Sequence, residues 1–129
     1  MCLYCFDGEK VADRDIPVVK VLRCVRGMFG IVRYETPYMW ERIRWDVLMG
    51  FRRMQAFGKE EIGRTWLGNT EVGGGFIHTY STERVATMHT IGLSGENVLF
   101  CCIIPKGERY WTNGYEYASK SIRFVKKVG

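Results

Sequence analysis

No apolar run in this chain approaches the roughly 18 residues that a membrane-spanning helix needs. Met1 to Lys10 also lacks the charged start and long apolar core of an export signal. The expectation is a cytoplasmic protein with no membrane partner. A second paired cysteine knuckle is missing as well. Cys2-x-x-Cys5 has zinc-ligand spacing, and Cys24 with Cys101 or Cys102 could complete a thiolate set, but the five cysteines are an odd number. Cys101 and Cys102 are adjacent, so in a strand they point to opposite faces and at most one reaches any given site. Reduced and mostly buried thiols are expected, with no metal and no other cofactor. No Ser or Cys carries a local nucleophile signature, so triad chemistry has no positive support. Internal repeats and low-complexity tracts are absent too.

What is present is the composition of a globular protein. The 129 residues are 47% hydrophobic and 26% charged, with mean hydropathy −0.14, enough to build a core as one domain over residues 1–129. Nineteen Lys and Arg against fourteen Asp and Glu give a net charge of +5. That favours anionic partners but falls well short of a nucleic-acid coat. The charge is uneven: Lys120, Arg123, Lys126 and Lys127 close the chain without an acid, whereas Asp7, Glu9, Asp13 and Asp15 crowd its start.

Along the chain, Pro17 opens a β-branched run, Val18 to Val25, that reads as a strand. Arg26-Gly27 suits a tight turn, with Met28 to Tyr34 as the returning strand until Thr36-Pro37-Tyr38 breaks it. From Trp40 to Phe51 helix and strand compete, because Ile43, Val47 and Phe51 recur at four-residue spacing. Met54 to Gly75 is glycine-rich and reads as connecting loop around short extended pieces. Phe76 to Tyr80 suits a strand. Ser81 or Thr82 can then cap a helix whose apolar stripe is Val85, Met88 and Ile91, ending at Gly92. Asn97 to Ile104, the Pro105-Lys106-Gly107 turn, Arg109-Tyr110-Trp111, the Asn113-Gly114 turn and Ser121 to Lys126 complete a series of strands. The fold class that follows is α+β: a small, largely antiparallel β-sheet domain with one or two packed helices.

Aromatic and basic residues interleave. Trp40, Trp45, Trp66, Tyr110, Trp111, Tyr115 and Tyr117 lie near Arg42, Arg44, Arg64, Arg109 and Lys120. Base stacking combined with phosphate pairing uses these side-chain types, although a small β-rich core uses the same aromatics. Gly73-Gly74-Gly75 precedes a strand, where a phosphate loop would follow one, so a turn is the better account. His78 and His89 could form an acid/base pair if strand and helix bring them together, but neither has an Asp or Glu beside it at ligand spacing. The candidate ligand-binding residues are His78, Ser81, Lys106, Arg109, Tyr110 and Trp111.

Several segments together resemble a group of short proteins from gut bacteria and their tailed phages. They are Met1-Cys2-Leu3-Tyr4, Val18-Val19-Lys20-Val21-Leu22, Thr36-Pro37-Tyr38, Gly74-Gly75-Phe76-Ile77-His78, Cys102-Ile103-Ile104-Pro105-Lys106-Gly107 with Tyr110, and Tyr117-Ala118-Ser119. The resemblance covers both ends and leaves out roughly residues 41 to 70. It carries no activity, and it implies an accessory or counter-defence protein working in a host cytosol. A second, weaker resemblance is to the ADP-ribosyltransferase fold. It implies Arg23 on an early strand, Tyr80-Ser81-Thr82 on a middle strand entering a helix, and Glu116 near a late strand. The implied catalytic residues are then Arg23, Tyr80 and Glu116: Arg pairs with pyrophosphate, the aromatic and hydroxyl segment frames nicotinamide, and the carboxylate supports a cationic ribosyl transition state. Gly114 stands where arginine-modifying members carry a second acid. The leading expectation is a non-catalytic, monomeric or homodimeric protein that binds a small phosphorylated or nucleotide-like ligand or docks on an acidic partner surface. The alternatives are an ADP-ribosyltransferase-like enzyme acting on NAD and an inhibitor of a host enzyme or nuclease.

Overall fold

In a computed structural model, residues 3–5, 8–38, 43–46, 53–65 and 68–128 are described, with the backbone only at 4–5 and 43–46. In chain order the elements are β1 (Leu3–Cys5), β2 (Lys10–Val11), β3 (Ile16–Arg26), β4 (Val32–Glu35), β5 (Ile43–Asp46), β6 (Arg53–Ala56), β7 (Ile62–Arg64), β8 (Thr70–Val72) and β9 (Ile77–Tyr80). Then come α1 (Glu83–Thr90), β10 (Glu96–Ile104), β11 (Arg109–Thr112), β12 (Glu116–Ser119) and β13 (Ser121–Lys127). A ten-stranded sheet runs β2-β11-β12-β9-β3-β10-β13-β6-β5, with β4 also on β3, and a three-stranded sheet runs β1-β8-β7. The pairings are antiparallel. The protein is mostly antiparallel sheet with a single α-helix among the described residues. Among those residues no helix is long and apolar enough to cross a membrane.

The β3 strand is the centre because its sequence is apolar on both faces. Val18 and Leu22 join Ile77, Phe100, Cys102, Ile104, Ile122 and Met54 in one cluster, while Val19 and Val21 turn the other way to meet Tyr80 and Ala86 under α1. Each such fully buried aliphatic side chain contributes roughly 1.5–3 kcal/mol. Leu3, Val72, Phe76, Trp111 and Ala118 form a further cluster that includes residues of both sheets. Cys102 belongs to the core beside β3. Burial pushes its thiol up from 9.0 to about 12, against the opposing pull of the Lys20 charge.

Four expectations need correction. Met28 to Gly30 is a 3-10 turn, so the returning strand starts only at Val32. The short extended pieces expected between Met54 and Gly75 are the strands β6, β7 and β8, and the one expected at Arg64 to Leu67 is displaced, since β7 ends at Arg64. The α1 stripe holds only at Val85, which packs partly buried against the cluster of Val19, Val21, Tyr80 and Ala86; Met88 and Ile91 are exposed, and Ala86 is the buried residue. The helix is short and lies close to β3 and β9, so a small side chain fits its contact face. There is one α-helix, capped by Thr82, whose hydroxyl accepts from Val85 N at 3.2 Å. Of the ambiguous stretch, Ile43–Asp46 is strand, and Trp40, Val47 and Phe51 lie outside the described residues.

Candidate functional site

The end of β9 and the start of β12 lie side by side, with Glu116 directly opposite Tyr80. Tyr80 packs on the α1 face of the sheet, and the helix places His89, in its last turn, above it. The two rings stack with centroids 4.7 Å apart and an interplanar angle of 27°. His89 Nδ1 lies 2.8 Å from Val85 O, and a carbonyl only accepts, so Nδ1 carries a hydrogen. The other ring nitrogen, Nε2, is 3.2 Å from Glu116 Oε1. The helix and the strand thus bring an imidazole nitrogen and a carboxylate oxygen within ion-pair distance of each other. The side chains of His89 and Glu116 keep 31% and 23% of their surface open to solvent.

Behind this pair the network is closed. The Tyr38 and Tyr80 hydroxyls are hydrogen-bonded to each other. Tyr38 is aimed inward by the Thr36-Pro37 bend, where its N–H donates to Thr36 Oγ1 at 3.2 Å. The fully buried Lys20 ammonium donates to His78 O at 3.0 Å and lies 5.3 Å from the Tyr38 ring centroid. In front, Asn113 Oδ1 accepts from Tyr115 N and Glu116 N at 2.9 and 2.8 Å, and Tyr115 O accepts from Ser81 N at 2.8 Å. This ties the Asn113-Gly114 turn to the entrance of α1. Tyr115 stands exposed at that turn.

The candidate residues from the sequence do not form one cluster. Tyr80, Ser81 and Glu116 come together here. Arg23 shares the α1 face, being four residues from Val19, which pairs with Tyr80; that spacing corresponds to roughly 13 Å along the strand. Arg23 is held by Glu35 at 2.9 Å. His78 is buried and its Nε2 contacts Gly73 O at 2.9 Å, so the two histidines serve different partners. Trp111 is core, edge-on to Phe76 at 4.8 Å, and Tyr110 packs beside Tyr117. Lys106 sits on an exposed turn whose amide donates to Asp15 at 2.9 Å. Arg109 pairs with Glu60 at 2.7 Å and Glu9 at 3.3 Å. Desolvation pulls its guanidinium down, but Glu60 and Glu9 outweigh that and hold it above its usual range.

Beside Glu60 lies an open groove of about 370 Å³, in which Glu60, Glu61 and Glu71 outnumber Lys59. That wall repels anions. Gly75 lies against the 59–60 backbone in a left-handed turn, and its carbonyl accepts from Lys120 Nζ at 3.0 Å. The glycine triplet is therefore a turn before β9, as its place in the sequence suggests. Among the described residues no group of His, Cys, Asp and Glu is arranged to hold a metal ion. Cys2, Trp40, Arg42 and Trp66 lie outside those residues, as do the side chains of Cys5, Arg44 and Trp45. No protein-family model, curated protein or solved structure matches the chain. The sequence named Tyr80 and Glu116 but missed their link through His89, and it missed Tyr38. The one signal for Tyr38 was its place after Pro37, which fixes the direction of the chain.

Proposed function

We propose that this chain is a non-catalytic binding protein of the phage accessory or counter-defence type, and that it holds a small nucleotide-like ligand at the His89–Glu116 pair. One observation carries the reading. The imidazole and carboxylate are partly open to solvent, the imidazole is backed by the Tyr80 ring, and the exposed Tyr115 precedes Glu116 in the chain. A base or nicotinamide ring stacks on the outer face of His89, and ribose hydroxyls or an exocyclic amine donate to Glu116. Arg23 lies on the same face and reaches a phosphate by exchanging its Glu35 partner. Isothermal titration against mononucleotides, cyclic nucleotides, NAD and ADP-ribose tests it: one class binds the native chain, and Glu116→Gln weakens that class at least tenfold. Silence across the whole panel sinks the reading.

A second reading, an ADP-ribosyltransferase-like enzyme acting on NAD, is favoured by the strand order β12-β9-β3. It sets side by side the strands bearing Glu116, Tyr80 and Arg23, the three residues to which the resemblance gives catalytic roles. That reading is dropped if Glu116→Gln and Arg23→Ala leave NAD hydrolysis where it is in the native chain.

A further inference from the structure

The β3–β4 hairpin is built unlike the rest of the sheet. Pairing of β3 with β10 stops at Cys24–Glu96, whereas pairing with β4 continues out to Arg26–Val32. The tip therefore stands clear of the sheet as a two-stranded finger. Its end is apolar and bare: Met28 is 78% exposed, Phe29 94%, Ile31 66% and Val32 41%. A folded protein seldom leaves adjacent large apolar side chains in water, and such a patch marks a surface that another molecule covers.

The finger is also shaped. Gly27 N donates to Ile31 O at 2.7 Å, closing the turn. Phe29 sits at φ 61°, ψ 24° and is followed by Gly30 at φ 72°. A phenylalanine in the left-handed region is strained where Asn or Gly would be comfortable, and it gains nothing from packing at its exposed position. Strain of this kind marks sites where the side chain is needed for something other than the fold. Arg26 and Arg33 flank the tip, both exposed, and no acid occurs between Cys24 and Tyr34. Among the described residues Arg26 meets Glu96, at 3.5 Å, at the base of the finger.

We propose that this hairpin tip is a docking finger for a partner protein that offers an apolar pocket rimmed with carboxylates. This goes beyond the ligand site at His89 and does not depend on it. Phe29 and Met28 fill the pocket while Arg26 and Arg33 pair with its rim. Aromatic, Met and Arg side chains are the types enriched where proteins bind one another. A protein pocket is favoured over a bilayer because a fluid apolar phase does not require a fixed turn, whereas a shaped pocket rewards one that is pre-organised before binding.

The test uses the full chain with photoreactive benzoylphenylalanine at Met28 or Ile31, and at the equally exposed Val125 as control, cross-linked in extract of the cell where the chain is native. The protein captured is purified and titrated against the native chain, Phe29→Asn, and the double variant Arg26→Glu with Arg33→Glu. Expected is a product specific to the finger positions. Its affinity then falls at least tenfold in Phe29→Asn, a substitution that the left-handed turn accepts and that leaves the fold intact. Affinity falls likewise in the double variant and weakens with salt. The proposal is overturned by the absence of a finger-specific product, or by equal affinity of native chain and Phe29→Asn. It is equally overturned by Phe29-dependent flotation with phosphatidylserine vesicles, which assigns the tip to a membrane, or by Phe29-dependent self-association in sedimentation, which assigns it to a second copy.

Discussion

Replacing Phe29 with Asn should stabilise the protein even though it removes a large apolar side chain. Two effects compete. A non-glycine residue in the left-handed region carries roughly 1–2 kcal/mol of strain, and Asn escapes much of it by bonding locally through its short amide. Against this stands the loss of apolar contact, but a ring that is 94% exposed has almost none to lose. The net gain is about 1 kcal/mol, which in a chain of this length raises the melting temperature by about 4 °C. Thermal unfolding followed by circular dichroism reads it directly, and urea unfolding gives the same sign as a higher midpoint at unchanged slope. A fall in melting temperature of about 2 °C or more would refute the reasoning, because it would mean that Phe29 packs against the chain in solution. A more stable variant that has lost its docking partner is the trade-off expected where a residue is kept for function at the expense of the fold.

Other substitutions test other parts of the account. Gly75→Ala should cost about 3 kcal/mol, from backbone strain together with overlap, since its new methyl would lie 2.5 Å from Lys59 O at a φ of +83°; denaturant unfolding that shows less than 1 kcal/mol lost contradicts the close approach. Trp111→Ala should cost about 3–5 kcal/mol by emptying the cluster it shares with Phe76, and a binding-site role without a core role would leave the melting temperature nearly unchanged. The Cys102 thiol should resist alkylation in the folded chain while Cys24 and Cys101, both partly exposed, react; peptide mass mapping after a brief iodoacetamide pulse decides it. Its raised pKa means that the folded state keeps a proton that the unfolded chain releases above about pH 9, so its contribution is complete below that pH and lost as pH climbs toward about 12. From pH 8 to 10 the native chain should therefore lose about 1 kcal/mol more than Cys102→Val, and parallel urea curves would contradict this.

The sequence revealed elements wherever one physical signal dominated. The β-branched run from Val18 to Val25 and the apolar run from Val98 to Ile104 left no alternative to buried strands, and they pair with each other at the centre of the sheet. The hairpin tip misled because Met28, Ile31 and Val32 have strand-like side chains, yet they are apolar at a place that the fold leaves in water. The helix stripe misled for the opposite reason. Val85, Met88 and Ile91 are spaced as a buried face should be, but only Val85 packs on the core, and a short helix lying close to a sheet needs a small residue at the tightest contact, which Ala86 supplies. The glycines between Met54 and Gly75 hid β7 and β8, a short hairpin whose β8 strand is also held by β1, since short strands fixed by their partners need little local propensity.

The candidate site was legible residue by residue and illegible as a constellation. Tyr80 and Glu116 were named for an implied catalytic role, and the sheet does place them opposite each other. The histidine that joins them was set aside because no acid is near it in sequence. Its acid arrives through strand pairing, which local spacing cannot display. Arg109 and Trp111 drew notice as a cation beside aromatics; one is occupied by Glu60 and Glu9, and the other is core.

The central claim is that the His89–Glu116 pair meets a nucleotide-like ligand, and the chain is suited to a direct test because it contains only two histidines. Nitrogen-15 resonances of the two imidazoles, followed while the chain is titrated with the nucleotide panel, report on each ring separately. The account predicts that the His89 resonances shift with one ligand class while those of the buried His78 stay in place, and that Glu116→Gln abolishes the shift. Resonances of His89 that remain unmoved across the panel would contradict it.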